Sequence, residues 1–176
     1  MKIAGGLLLI AGTTLMGMRA ASGIQDEYRQ MQYLQQIIYM LQSEIRYSRA
    51  YLGEAFLHIK EQVREPYAGW LFQMSRSMDK REGGMLSDIW EKETEAYLSA
   101  SGLPQEERGR LAALGGRLGA ADMDMQIKTL ELYQEQLAVS MSEKREGMRT
   151  KMRLCRCLGV MSGIFLTVLL VLRRRV

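Results

Sequence analysis

QDEYRQMQYLQQIIYMLQSEIRYSR, residues 25–49, decides the class of the fold. Apolar side chains fall at Met31, Leu34, Ile38, Leu41 and Ile45. Steps of three and four put them on one face of a long helix. Gln30, Gln32, Gln35, Gln36 and Gln42 supply much of the rest, as expected of an amphipathic helix with one buried stripe.

The same period continues downstream. Leu52 to Val63 predicts a second helix with Ala55, Phe56, Ile59 and Val63 on its stripe. Pro66 excludes helical dihedrals at Glu65, so a boundary falls there, and it suits the first turn of a third helix. That helix presents Tyr67, Trp70, Leu71, Met74 and Met78. Gly83 and Gly84 break the chain before a fourth helix carrying Leu86, Ile89, Trp90, Glu93 and Tyr97. Gly102 closes it, and Pro104 opens a fifth with Leu111, Leu114 and Leu118 inward. Asp122 suits the cap of a sixth, whose stripe is Met123, Ile127, Leu130, Leu137, Met141 and Met148. Long first and last helices are expected to pack antiparallel around the shorter ones.

Upstream and downstream of these helices lie two uncharged runs, IAGGLLLIAGTTLMGM (3–18) and CLGVMSGIFLTVLLVL (157–172). As helices each is about 24 Å long, against about 30 Å of hydrocarbon. Lys2, Arg19, Arg156 and Arg173 extend the reach by snorkelling. Two membrane spans are therefore expected. Residues 1–22 also fit a cleaved signal peptide, with a charged start, a short apolar stretch and small residues at Ala20, Ala21 and Ser22.

All 20 acidic residues and all but four of the 24 Lys and Arg lie between the two runs, so the central region is formally neutral. The net charge of +4 comes from Lys2, Arg173, Arg174 and Arg175 at the extremities, which argues against a nucleic-acid surface. Basic residues near the membrane on the central side (Arg19, Arg29, Lys144, Arg145, Arg149, Lys151, Arg153, Arg156) outnumber those on the terminal side, favouring a cytoplasmic central domain. Lys151, Arg153, Arg156 and Arg173–Arg175 form the membrane flank of the second span; the basic run Lys144–Arg156 serves as a topology signal and is able to attract anionic lipid as well. Gly159 and Gly163, at GxxxG spacing, would permit close helix approach, and fit ordinary lipid-facing glycines equally well.

Catalytic chemistry is not indicated. His58 is the only histidine, too few for the usual multi-histidine metal site, and no serine has a nucleophile context. Cys155 and Cys157 point apart on a helix and make poor disulfide partners. The Gly115–Gly119 segment lacks the Gly-Lys-Ser/Thr ending of a phosphate loop. Glu91 and Glu95, and Glu131 and Glu135, share helix faces near Lys92 and Lys128, as solvated surface does. Asp122, Asp124 and Gln126 carry oxygen ligands, but helix capping accounts for the two aspartates without a metal. No cofactor is expected.

The most specific stretch is LAALGGRLGAADMDMQIK, Leu111–Lys128, which reads LxxLGxxLGxxDxxxQ. Leu130-Glu131-Leu132-Tyr133 and KMRLCRCLGVMSGIFLTVLLV follow it, and LQSEIRYSRAYLGEAF (Leu41–Phe56) precedes it. In order and spacing these segments resemble the stage III sporulation protein AB family over nearly the whole chain; Tyr51 stands where a small residue or proline would be usual. The resemblance implies a helical domain like the cytoplasmic part of the type II secretion inner-membrane platform protein. It further implies a mother-cell-side scaffold that couples a secretion-type ATPase to other membrane proteins of the stage III sporulation complex.

The reading is therefore an all-α chain: an N-terminal transmembrane helix (1–22), a soluble bundle of about six helices (23–153), and a C-terminal transmembrane helix with a basic tail (154–176). It is a non-enzymatic scaffold in the cell membrane, with membrane proteins, the ATPase and lipid as partners and homo-oligomerisation compatible with it. The alternative is a signal-transducing or regulatory membrane helix bundle. Gly115, Gly119, Asp122 and Gln126 are expected to form a corner that shapes the domain or its partner face. If the corner requires positive φ, a β-branched residue at Gly119 disrupts it.

Overall fold

The computed structural model describes the backbone of residues 23, 25–80, 85–119 and 122–173, and their side chains up to residue 150 apart from residue 149. The chain divides into two units, Asp26–Met141 and the terminal segments Met1–Gln25 with Ser142–Val176.

Every described element is helical. Helix α1 (residues 25–43) ends in a π turn, Glu44–Ser48. It is followed by α2 (Leu52–Lys60), α3 (Tyr67–Asp79), α4 (Leu86–Leu98), α5 (Gln105–Leu118) and α6 (Met123–Arg173). The backbone of α6 is helical without interruption through the basic stretch to Arg173. Both expected spans lie outside the described residues, the first in its backbone and the second in its side chains. Among the described residues no helix is long and apolar enough to cross a membrane.

In the unit Asp26–Met141 the period of apolar residues becomes a single core. Met31, Leu34, Ile38, Leu41 and Ile45 are all buried, joined by Ile37. The stripes of α2, α3 and α5 are buried as read, save that Met78 is half-buried and that α2 stops at Lys60, leaving half-buried Val63 in the following turn. Pro66 is the residue before α3 rather than within its first turn.

Two stripes needed correction. On α4 Leu98, not Tyr97, is buried; the Tyr97 ring lies outside, over Gly69. On α6 Met123 is exposed, and the buried set is Leu130, Tyr133, Gln134, Leu137 and Met141. Both misplaced residues lie at an edge or end of a stripe, where the 3.6-residue period places a side chain equally well outside.

Consecutive helices run antiparallel. Gly53 faces Ser75 across α2 and α3, and Ser77 Oγ donates to Glu93 Oε1 across α3 and α4 at 3.4 Å. Gly115 faces Trp90 and Gly119 faces Leu86 across α4 and α5. The connections α1–α2, α3–α4 and α5–α6 thus share one end of this unit, and α2–α3 and α4–α5 share the other. At that other end Tyr33 of α1 accepts a 2.7 Å hydrogen bond from the Arg64 amide, and Gly102 closes the α4 turn at φ 81°. The left-handed region suits a glycine there.

At the centre of the core three aromatic rings meet edge to face. Trp90 of α4 lies 5.7 Å from Phe56 of α2 and 5.8 Å from Trp70 of α3, centroid to centroid. Such pairs add to the area that the rings bury. Three helices therefore close on Trp90 of α4, with the backbone of α5 as the third wall.

Candidate functional site

The expected corner is assembled between α5 and α6. Gly115 lies inside α5, and a Cβ built on it would overlap Trp90 Cβ and Cγ and lie 3.0 Å from Cδ2. A Cβ on Gly119 would lie 2.9 Å from Leu86 Cβ. These glycines let α5 approach α4 at backbone distance. Gly119 has φ −70°, so the positive-φ expectation is incorrect: close packing, not a left-handed turn, selects glycine.

Asp122 and Gln126 close the corner. Asp122 Oδ1 accepts from the Met125 amide at 2.8 Å, satisfying one of the free N–H groups at the start of α6. Gln126 Nε2 reaches back to the Leu118 carbonyl at 3.1 Å, satisfying an orphan acceptor at the end of α5. One side chain caps the incoming helix and the other the outgoing one. The four residues therefore do come together, as two packing glycines and two caps.

Lys151, Arg153, Arg156 and Arg173 lie on the helical backbone of α6, with side chains outside the described residues; Arg174 and Arg175 lie outside them altogether. Among the described residues no group of three or more His, Cys, Asp or Glu is placed to hold a metal ion. His58 is half-exposed, with Nδ1 3.1 Å from Glu44 Oε2. This contact ties α2 to the π turn and, as the leading cause, holds the Glu44 carboxyl below the usual carboxylate value.

Several buried polar groups were not read from the sequence. Gln42, assigned to the polar face of α1, is buried and accepts from Gln134 Nε2 at 3.0 Å while donating to Glu131 at 2.9 Å. Arg46 also donates to Glu131 at 2.6 Å. Glu107 is buried beside Arg110, whose Nη1 is 3.0 Å from Glu107 Oε1 and also reaches Ser140. Close by in charge terms is Tyr133, whose phenol is pushed far up by burial and then by Glu107. These contacts fasten α1 and α5 to α6, and none supplies a nucleophile facing a cleft.

The stage III sporulation protein AB family model matches residues 2–171, nearly the whole chain, with the first apolar run and all but the last residue of the second. The chain belongs to that family. The stage III sporulation protein AB of Bacillus subtilis (strain 168) is 24% identical over 170 residues, covering 97% of this chain and 99% of the relative. A solved structure of a stage III sporulation protein AB shares the fold at a TM-score of 0.62 and 23% identity. It covers 70% of this chain and 97% of that one. The stage III sporulation protein AB fold is thus the all-α bundle described above, and the corner lies within the part of the sequence that the family model spans.

Proposed function

We propose that this chain is a non-enzymatic membrane scaffold of the channel complex between mother cell and forespore, coupling a secretion-type ATPase to the membrane subunits. The observation that carries the reading is the end-to-end family match, which takes in the apolar run at each terminus as well as the bundle. Among the described residues the Gln42–Gln134 and Arg110–Ser140 hydrogen bonds join α1 and α5 to α6, which suits a structural part.

On this reading residues 1–22 and 154–176 are membrane spans, and residues 23–153 face the mother-cell cytoplasm, the side favoured by the excess of basic residues. Lys151, Arg153 and Arg156 hold the inner end of the second span at the lipid surface, and Arg173, Arg174 and Arg175 its outer end. The corner of Gly115, Gly119, Asp122 and Gln126 fixes the geometry of the face offered to partners.

The test is purification from detergent-solubilised sporulating cells. The account expects the secretion-type ATPase and the membrane subunits of the complex to co-elute with the tagged full chain. Recovery of the chain alone under conditions that preserve the other subunits' assembly would contradict it.

A further inference from the structure

The basic stretch of α6 is sorted by face. The helix is continuous from Met123 to Arg173, so its backbone fixes where each residue of the stretch falls. Arg149, Arg153 and Arg156 follow one another at steps of four and three. At 3.6 residues per turn they share an arc of about 60°. Arg145 continues the same face one turn farther from the uncharged run 157–172. Lys144 and Lys151, seven positions apart, lie about 120–180° round the helix from the three arginines.

A topology signal does not call for this sorting. It counts lysine and arginine alike, whatever face they occupy. Arginine differs from lysine in its planar fork, which matches the oxygens of a phosphate two at a time. Residues three and four apart on a helix are neighbours, a spacing that lets two guanidinium groups share one phosphate.

The charge of this face is not offset within the helix. From Gly147 to Arg156 there are four basic residues and no acidic one. Glu146 stands three positions before Arg149 and offsets it in part, but Arg153 and Arg156 have no acidic residue within four positions on either side. Like charges at these spacings repel one another, and an anion held between them relieves the repulsion.

Position names the source of that anion. Arg156 abuts the uncharged run, and Arg149 stands about 10 Å before it along the helix. The headgroup layer on each side of the hydrocarbon is about 5–8 Å deep, and a charge acts over about 8 Å beyond it at physiological salt. All three arginines therefore fall within reach of lipid phosphate. Six basic residues from Lys144 to Arg156 also match the about four to eight that mark anionic-lipid recognition beside a span.

We infer that Arg149, Arg153 and Arg156 form a binding face for the headgroup phosphate of an anionic phospholipid. The inference deepens the scaffold reading by giving its second span a lipid ligand, and it rests on that reading, in which 157–172 lies in the membrane.

The test is native mass spectrometry of the full chain, purified in a nonionic detergent and titrated with phosphatidylglycerol, phosphatidylcholine or inorganic phosphate. Phosphatidylglycerol should be retained at least tenfold more than phosphatidylcholine, with no displacement by inorganic phosphate. Arg153→Gln with Arg156→Gln should lower that retention at least fivefold. Lys144→Gln with Lys151→Gln removes the same charge from the other side of the helix and should leave retention within about twofold of the parent. Equal retention of the two lipids, binding of inorganic phosphate in their place, or equal losses from the two double variants would overturn the inference. So would an acidic protein, rather than phospholipid, leaving the purified chain when the two arginines are replaced. Extraction of the parent chain from membranes by alkaline carbonate would defeat the span and the inference with it. A chain that resists carbonate yet shows no preference for phosphatidylglycerol would defeat the inference alone.

Discussion

Gly115 of α5 lies against the Trp90 side chain of α4 so closely that a methyl group at position 115 would occupy the same space as the first atoms of that side chain. Trp90 has no room to yield, since Phe56 and Trp70 close it in from α2 and α3.

Gly115→Ala should therefore destabilise the bundle. Overpacking of this kind costs about 1–3 kcal/mol. For a chain of this size each kcal/mol lowers Tm by about 2–4 °C. Gly109 offers the control: it is in the same helix with open space around its Cα, so Gly109→Ala should stabilise by about 0.5–1 kcal/mol. Thermal melts of the two variants should move in opposite directions; equal shifts would mean that helix propensity, not the Trp90 contact, governs both.

The Gln42–Gln134 pair yields a second prediction. Truncating either glutamine leaves its buried partner amide short of a bond, at a cost of about 1–3 kcal/mol. Gln42→Leu with Gln134→Leu should recover much of that loss, because the two apolar groups leave no orphan between them. A double-mutant cycle by denaturant unfolding measures the coupling. Additive losses would show that the two amides do not depend on each other.

Proton linkage gives a third. The His58 contact holds the Glu44 carboxyl low in the folded chain, so its stabilisation is present above the unfolded value of about 4.5 and is lost as pH falls through the lower folded value. Glu44→Gln should flatten that part of the acid limb of a Tm-against-pH curve, and an unchanged limb would contradict the contact. At the alkaline end burial raises the Tyr67 phenol to about 12. That contribution is intact below about pH 10 and is lost as pH rises through the folded value. Tyr67→Phe should lessen the alkaline slope, leaving the part that belongs to the buried Tyr133.

Arg49 gives a fourth. Relief of its left-handed backbone by Arg49→Gly should raise stability by about 1 kcal/mol, less the entropy that glycine loses on folding. A variant that melts lower than the parent would show that the arginine side chain supports the bundle.

What the residues disclosed, and what they withheld, follows from how each is held in place. The faces of α1, α3 and α5 are legible because aliphatic and aromatic side chains recur at 3.6-residue spacing, and burial obeys that spacing. Gln42 was not legible because it sits in a helix rich in glutamine, and only the partner Gln134, 92 positions away, makes its burial tolerable. Glu107 was hidden likewise behind Arg110 and Ser140. Of the corner, LxxLGxxLGxxDxxxQ announced the glycines and the Asp122 cap. It did not reveal that Trp90 and Leu86 are what the glycines accommodate, since that contact joins two helices whose pairing is not written in either.

The most direct test of the scaffold account is cysteine accessibility. Lys80→Cys is made in the full chain with Cys155 and Cys157 replaced by serine, and protoplasts of sporulating mother cells are labelled from outside. The account predicts labelling only by a membrane-permeant maleimide, on a protein that stays in the membrane fraction after alkaline carbonate. Labelling by an impermeant reagent in intact protoplasts, or release of the chain into the supernatant with its first two dozen residues missing, would contradict it.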